Sequence, residues 1–285
     1  MTAWTNPAGE AGDARTRPAI DPVTLLADLE CGRVRAAWPD AGAAGGWRVD
    51  PEVKSAILAR FADRRTRDWD LGGALQFRDR VGLPPRNLLG DPAGTAEVTA
   101  GRPWRVVPGG TSVRAGVRLG PGVVIMPPAF VNVGAWIGEE AMIDSHVLVG
   151  SCAQVGARVH LAAGVLLGGV LEPPGARPVI VEDDAFVGAA ATLLEGVLVG
   201  AGAVIGAGVT LTGTSRLFDL VRERELAGTA AEPLAVPPGA VVVPGVRRLG
   251  GSFAEANGLG AITALIVKDR TPGTDARVAL EAALR

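Results

Sequence analysis

From residue 113 onwards the sequence repeats with a period of six residues. Every sixth position from Val113 to Leu167 is Val, Ile or Leu, and the position four residues further on in each repeat is small or aliphatic. The register is lost in EPPGARPV and resumes at Val181, so the interval from Leu167 holds one hexapeptide plus eight inserted residues. Hexapeptide periodicity is typical of a parallel β-helix, in which three short faces form each triangular coil.

The period also predicts where the side chains lie. The aliphatic first position should point into the prism, the small fifth position should let the corners close, and glycine at the second position should provide unusual backbone angles in the turns. About six coils result. We therefore predict a mainly β fold, a left-handed parallel β-helix; the handedness is taken from the repeat class, because periodicity alone does not give it.

The flanking sequence predicts an N-terminal α-helical domain and a small C-terminal cap. Asp21 and Asp50 each precede a proline and a helical apolar pattern, as helix N-caps do. The tail offers a strand from Ile262 to Lys268 and then a short helix. The predicted divisions are a flexible N-terminus at 1–20, a helical domain at 21–103, the β-helix at 104–248 with insertions near 172–179 and 218–235, and the cap at 249–285.

Composition and charge restrict the partners. The formal net charge is −2, which favours neither nucleic acid nor an anionic membrane. The sequence shows no secretory signal and no membrane span, and Cys31 and Cys152 lack metal-ligand spacing, so we predict a protein of the reducing cytoplasm. Flat faces with little charge in the middle coils predict association into a three-fold homo-oligomer.

The stretch from Met142 to Leu161 contains an aspartate, a cysteine and both histidines of the chain, which are residue types common in catalytic and metal sites. Inward positions are aliphatic, so Asp144, His146, Cys152 and His160 should all project outwards, and their spacing does not converge on a metal. Asp144 and His146 are predicted to share one strand and one face, with Cys152 around a corner. We interpret Cys152 as a packed residue at a subunit contact, His160 as structural and His146 as a surface or interface residue. Asp144 is the best functional candidate, because an aspartate among apolar neighbours needs a purpose.

Several motifs, in order, resemble the tetrahydrodipicolinate N-succinyltransferase family of hexapeptide-repeat acyltransferases from roughly residue 47 to residue 270. They are WRVVPGG, VIMPPAFVNVGAWIGEEAMID, VGSCAQVGARVHLAAGV, GGVLEPPGARPVIVEDDAFVGA, LEGVLVGAGAVIGAGV, VPPGAVVVPG and ALIVKDR. The resemblance implies a homotrimer with sites between neighbouring prisms. It also implies transfer of succinyl from succinyl-CoA, a cosubstrate rather than a permanently bound cofactor, to the amine of L-2-amino-6-oxopimelate in diaminopimelate and lysine biosynthesis.

The resemblance implies roles for residues at positions that match the family's motifs. Arg105 matches the arginine that binds a substrate carboxylate, and Asp144 matches the aspartate at the acyl-acceptor site, where it would orient and deprotonate the amine. The backbone around Gly188 and Ala189 resembles the wall for the pantetheine arm, and Lys268 is expected near the CoA phosphates.

The sequence also departs from the family near these positions. Ala190, Ala191 and Thr192 stand where Arg-Ser-Glu is common. Glu195, although acidic, matches a different position; with His146, it joins Arg105 and Asp144 as a candidate substrate-binding residue. Further departures are Ala162 in place of serine and Ser145-His146 in place of Thr-Trp.

Three hypotheses follow. The first is the succinyltransferase itself. The second is a paralogous acyltransferase with a changed acyl donor or amino-acid acceptor, in which His146 would be a candidate base. The third is a non-catalytic structural or regulatory trimer, and the presence of both Arg105 and Asp144 argues against it.

Overall fold

The computed structural model describes residues 20–73, 75–88, 104–229 and 231–271. Residues 1–19 of the predicted flexible N-terminus, residues 89–103 of the predicted helical domain and the predicted final helix lie outside the described residues. Among the described residues, no helix is both long and apolar enough to cross a bilayer.

The N-terminal region combines helices with antiparallel strands. Its elements are α1 (Leu25–Cys31), β1 (Ala37–Pro39), a 3-10 turn (Ala44–Gly46), β2 (Trp47–Val49), α2 (Pro51–Ala62), β3 (Thr66–Leu71) and β4 (Leu75–Arg80). Asp50 caps α2 as predicted, because its carboxylate accepts from the N–H groups of Glu52 and Val53. The Asp21 cap is wrong: Thr24 is the N-cap of α1, and the Asp21 carboxylate accepts from Val23 in the preceding turn. The pairs β1–β2 and β3–β4 were not predicted, so this region is not helical throughout.

Residues from 105 onwards form a three-sided parallel β-helix. Face 1 contains β5 (Arg105–Val106), β8 (Val124–Ile125), β11 (Met142–Ile143), β14 (His160–Leu161), β17 (Phe186–Val187), β20 (Val204–Ile205) and β25 (Ala240–Arg248). Face 2 contains β6 (Ser112–Val113), β9 (Phe130–Val131), β12 (Leu148–Val149), β15 (Leu166–Leu167), β18 (Thr192–Leu193) and β21 (Thr210–Leu211). Face 3 contains β7 (Arg118–Leu119), β10 (Trp136–Ile137), β13 (Gln154–Val155), β16 (Ile180–Val181), β19 (Leu198–Val199) and β24 (Ala235–Val236).

The strand register follows the predicted period. Met142 pairs with His160 and Ile143 with Leu161, which is one coil of three hexapeptides. The eight inserted residues lie between β15 and β16, and parallel pairing continues beyond them from β13 to β16. First-position and fifth-position side chains form one continuous buried core along the prism. The predicted parallel β-helix and its inward positions are therefore confirmed.

The predicted reason for the second-position glycines is wrong. Positive φ angles occur instead at the fourth position, where the chain places Glu140, His146 and Cys152 among others. At the second position the constraint is space, because a Cβ on Gly138 would lie 2.4 Å from the carbonyl carbon of Gly156 on the next coil. The corner therefore requires glycine where successive backbones touch and tolerates other residues where φ is left-handed.

The N-terminal region covers face 3. Arg35 is buried there, with its guanidinium 4.0 Å from the ring centroid of Trp136 and its Nε donating to Oε1 of Gln154 at 2.6 Å. Burial lowers the pKa of Arg35 to about 9. Because face 3 is occupied by the chain itself, outward-facing chemistry is left to faces 1 and 2 and their shared corner.

The C-terminal part extends face 1. β25 pairs antiparallel with β26 (Gly260–Asp269), and α3 (Ser252–Ala256) lies between them. β26 includes the predicted strand Ile262–Lys268, and it also pairs with β22 (Arg216–Asp219), which forms a hairpin with β23 (Arg224–Ala227). The result is a ten-stranded sheet with β5 near one end and the C-terminal strands near the other.

Candidate active site

Asp144 lies at the corner between faces 1 and 2, directly after β11. Its backbone N–H donates to the Leu161 carbonyl at 3.0 Å, which continues the parallel ladder to the end of the strand. Its Oδ1 accepts from the Ser145 N–H at 2.9 Å, and its side chain is 32% exposed. The turn therefore holds one carboxylate oxygen of Asp144, and the side chain is still accessible to a solute.

His160 is the side chain that the fold brings to Asp144. Its Nε2 lies 3.7 Å from Oδ2 of Asp144, across adjacent strands of face 1. The ring is buried and meets the ring of Phe186 edge-on, with 5.1 Å between centroids. The sequence analysis interpreted His160 as structural and did not pair it with Asp144, so this contact is new.

His146 is placed differently from its prediction. β11 ends at Ile143, so His146 is in the turn rather than on a strand with Asp144, and it adopts φ 63°. Its side chain is exposed, and its N–H donates to the Pro128 carbonyl. The shared-strand prediction is wrong because each face of the prism has only two strand residues before the chain turns.

Arg105 lies on the same face as Asp144. It pairs with Val124, which in turn pairs with Met142. On face 1, β5 is therefore two strands, or rungs, below β11, the strand that Asp144 follows. Neighbouring strands are separated by about 4.8 Å, which gives roughly 10 Å between the two backbones. The Arg105 side chain is exposed. The exposed Arg105 side chain therefore starts from a strand of face 1 that is two strands away from β11, the strand that Asp144 follows.

The rungs above Asp144 end in small residues at the same corner. Ala162 and Gly188 occupy the equivalent positions after β14 and β17, and Ala189 is exposed. Lys268 is exposed on β26, opposite Val241 of β25, further along the same sheet. Five of the predicted site residues therefore belong to one sheet and its edge: Arg105, Asp144, Gly188, Ala189 and Lys268.

Glu195 lies at another corner of the prism. It follows β18 in the turn towards β19, between faces 2 and 3, and its Oε2 accepts from the Gly213 N–H at 3.2 Å. Within one chain the structure does not bring Glu195 to Asp144. Thr192 is half-buried on face 2, and Ala190 is an exposed turn residue with φ 58°.

Cys152 is an interior residue, but its neighbours differ from those predicted. It packs in the cluster formed with Leu29, Val53 and Ile57 of the N-terminal region, rather than at a subunit contact. Burial raises the pKa of its thiol to about 12, and nearby Lys54 only partly opposes this. A thiol in this state is a poor nucleophile.

We expect thiol reagents to distinguish the two cysteines. Cys31 is half-buried and Cys152 is fully buried, so a chromogenic disulfide should modify Cys31 in the native protein and both residues in denaturant. Mass spectrometry of peptides from the native reaction checks which residue is labelled. Equal labelling of both cysteines without denaturant would contradict the burial of Cys152.

Sequence reasoning missed the Asp144–His160 contact although the signal was present. Because the register pairs Met142 with His160, Asp144 is the diagonal neighbour of His160. Diagonal Cβ atoms are roughly 7–8 Å apart, within reach of two polar side chains. Within the described residues, no group of three or more His, Cys, Asp or Glu side chains is arranged to hold a metal ion.

One family model and several curated relatives match this chain. Residues 178–213 match the family model described as a hexapeptide repeat of succinyl-transferase. A 2,3,4,5-tetrahydropyridine-2,6-dicarboxylate N-succinyltransferase of Idiomarina loihiensis is 40% identical, with 92% of this chain and 87% of the relative covered. The protein of the same name from Polynucleobacter asymbioticus is 37% identical, with coverage of 99% and 96%. A solved Campylobacter jejuni structure, a putative 2,3,4,5-tetrahydropyridine-2-carboxylate N-succinyltransferase, is more distant at 18% identity, a TM-score of 0.34 and coverage of 57% and 42%.

Proposed function

Because the chain belongs to the tetrahydropyridine-2,6-dicarboxylate N-succinyltransferase family, we propose that it transfers succinyl from succinyl-CoA to the amine of L-2-amino-6-oxopimelate, in the route to diaminopimelate and lysine. The observation that carries the proposal is the accessible carboxylate of Asp144 on the same face as the guanidinium of Arg105. No permanently bound group is needed, since acyl-CoA is the cosubstrate.

Asp144 has the chemistry required at the acceptor amine. The amine reaches the site as an ammonium ion, and only its neutral form has the lone pair that attacks a thioester. One proton leaves to solvent when the ammonium ion becomes the neutral amine. As the amine nitrogen bonds to the thioester carbonyl carbon and the carbon–sulfur bond breaks, the Asp144 carboxylate takes a second proton from the nitrogen. That proton then passes to the departing CoA sulfur, so that free thiol and amide are the products and one proton remains in solvent.

Arg105 supplies the binding group for the acceptor. A guanidinium binds a carboxylate with two parallel hydrogen bonds, which fixes the orientation of the acceptor as well as its position. With about 10 Å between the two strands, Arg105 would hold a carboxylate of the acceptor while its amine lies at Asp144.

We expect Arg105→Met to raise KM for the acceptor about tenfold or more, because a charged hydrogen-bonding partner is lost. KM for succinyl-CoA should change by less than about twofold, since that substrate lies on the other side of Asp144 in this arrangement. Arg105→Lys is the matched control and should recover part of the affinity through charge alone. Steady-state kinetics with each substrate varied separately measures both constants; equal changes in the two would contradict an acceptor-specific role.

The rungs above Asp144 are the proposed path of the CoA arm. Exposed Ala163, Ala189 and Ala207 at this corner leave the backbone open to an extended chain. Lys268 lies towards the C-terminal end of the same sheet, where its charge would meet the phosphates. We further propose that the prism is left-handed and that three chains associate, with each site between neighbouring prisms.

A paralogous acyltransferase is the second candidate function. It is favoured by Ala190, Ala191 and Thr192, where the family commonly has Arg-Ser-Glu. Loss of polar partners next to a site changes selectivity among substrates.

One assay tests both candidates. The purified protein is mixed with succinyl-CoA and 2-aminopimelate, and released thiol is followed with a chromogenic disulfide. The Cys31→Ser protein is used because Cys31 would itself react. Release with this pair supports the succinyltransferase, release only with another acyl-CoA or amine supports the paralogue, and no release with any of several pairs overturns both.

A further inference from the structure

We propose that His160 is a positioning residue for Asp144, holding the carboxylate in the orientation that receives the proton of the acceptor amine. This inference rests on the proposed function for the catalytic consequence, but the contact itself is independent of it. The observation is the 3.7 Å separation between His160 Nε2 and Asp144 Oδ2.

The two oxygens of Asp144 have different surroundings. Oδ1 accepts from the N–H of Ser145, whereas Oδ2 faces His160 on the next coil. The terminal torsion of an aspartate is broad and roughly two-fold, so one hydrogen bond alone leaves the carboxylate plane free to turn. A second contact, on the other oxygen, restricts that rotation and directs the remaining lone pairs towards the exposed side of the corner.

The fold also fixes the imidazole of His160. Phe186, one rung above, meets the ring at an interplanar angle of 81° and limits its movement on that side. Ala162 follows Leu161 at the corner beside Asp144 and carries only a methyl group. His160 is buried while Asp144 is partly exposed, so the histidine lies behind the carboxylate relative to solvent.

This geometry gives the proton-accepting role to Asp144 and the supporting role to His160. A distance of 3.7 Å is longer than a direct hydrogen bond. Catalytic hydrogen bonds are often long before substrate binds and shorten in the complex. The burial of the imidazole keeps it from being the group that first meets the acceptor.

Three variants test the role by activity. His160→Phe retains a ring against Phe186 but has no donor, and kcat should fall about ten- to a hundredfold while both KM values change by less than about threefold. His160→Gln places an amide nitrogen where Nε2 stood, and should recover most of that loss. Asp144→Asn combined with His160→Phe should be no slower than Asp144→Asn alone. An unchanged kcat in His160→Phe overturns the proposal. It is also overturned if His160→Gln is as slow as His160→Phe, because glutamine donates a hydrogen bond but cannot act as a base, and that result would make His160 the base.

A spectroscopic comparison tests the contact without turnover. The chain contains two histidines, so a His146→Gln background labelled with ¹⁵N-histidine reports His160 alone. Asp144→Asn in this background should move the ring-nitrogen signals of His160, and unmoved signals overturn the proposal. If the wild-type protein transfers no acyl group, the proposed function fails, whereas this comparison still decides whether His160 holds Asp144.

Discussion

Replacing Asp144 by asparagine is expected to lower kcat by about a hundredfold or more, because a positioned general base contributes two to four orders of magnitude. Asparagine has almost the same shape and retains an oxygen that accepts from the Ser145 N–H, so the corner should keep its conformation. The loss should therefore appear in turnover and not in folding. Thiol release in the Cys31→Ser background measures the rate.

Two controls make this result specific. The denaturant midpoint of Asp144→Asn should equal that of the parent protein, which excludes a folding defect. Near-normal turnover would contradict the assignment and transfer the role to His146 or Glu195. His146→Ala then separates these two, because His146 adjoins the Asp144 turn whereas Glu195 lies at another corner of the same chain.

The sequence predicted the β-helix well because one physical rule is repeated in it many times. A prism of short faces buries a side chain at the same point of every hexapeptide, so Val113, Ile143 and Leu211 all report the same inward position. The same periodicity located the eight-residue insertion, since Leu167 and Val181 keep their places in the core around it. The N-terminal region has no such repetition, and its β3–β4 hairpin was not predicted.

The candidate site was only partly predictable, for a related reason. Asp144 was singled out from its apolar neighbours and the period placed it outside the core, whereas Arg105 came from the resemblance alone. The partner of Asp144 depends on register between coils, which joins residues far apart in the sequence, whereas the sequence reading compared residues along one strand. It therefore chose His146, two residues away, over His160 on the neighbouring strand. The conformation at His146 follows from its fourth position in the repeat, where the chain turns with positive φ.

Substitution at the two kinds of corner glycine should destabilise the protein to very different extents. A Cβ at Gly138 would lie 2.4 Å from the carbonyl carbon of Gly156 and 2.5 Å from the backbone nitrogen of Ala157. Both are backbone atoms, which cannot move aside through a change of side-chain rotamer. Gly138→Ala should therefore force adjacent coils apart and lower the free energy of unfolding by about 3 kcal/mol or more.

Gly239 provides the matched control, since it occupies the fourth position at the same edge between faces 3 and 1. Its φ is +69°, and a Cβ there would meet nothing within 4 Å. Asparagine tolerates the left-handed conformation, so Gly239→Asn should cost about 1 kcal/mol or less. Denaturant midpoints of the two variants and the parent, measured at one protein concentration because association changes apparent stability, give the comparison. If Gly239→Asn destabilised the protein as much as Gly138→Ala, the claim that the distance between coils matters more than left-handed φ would be contradicted.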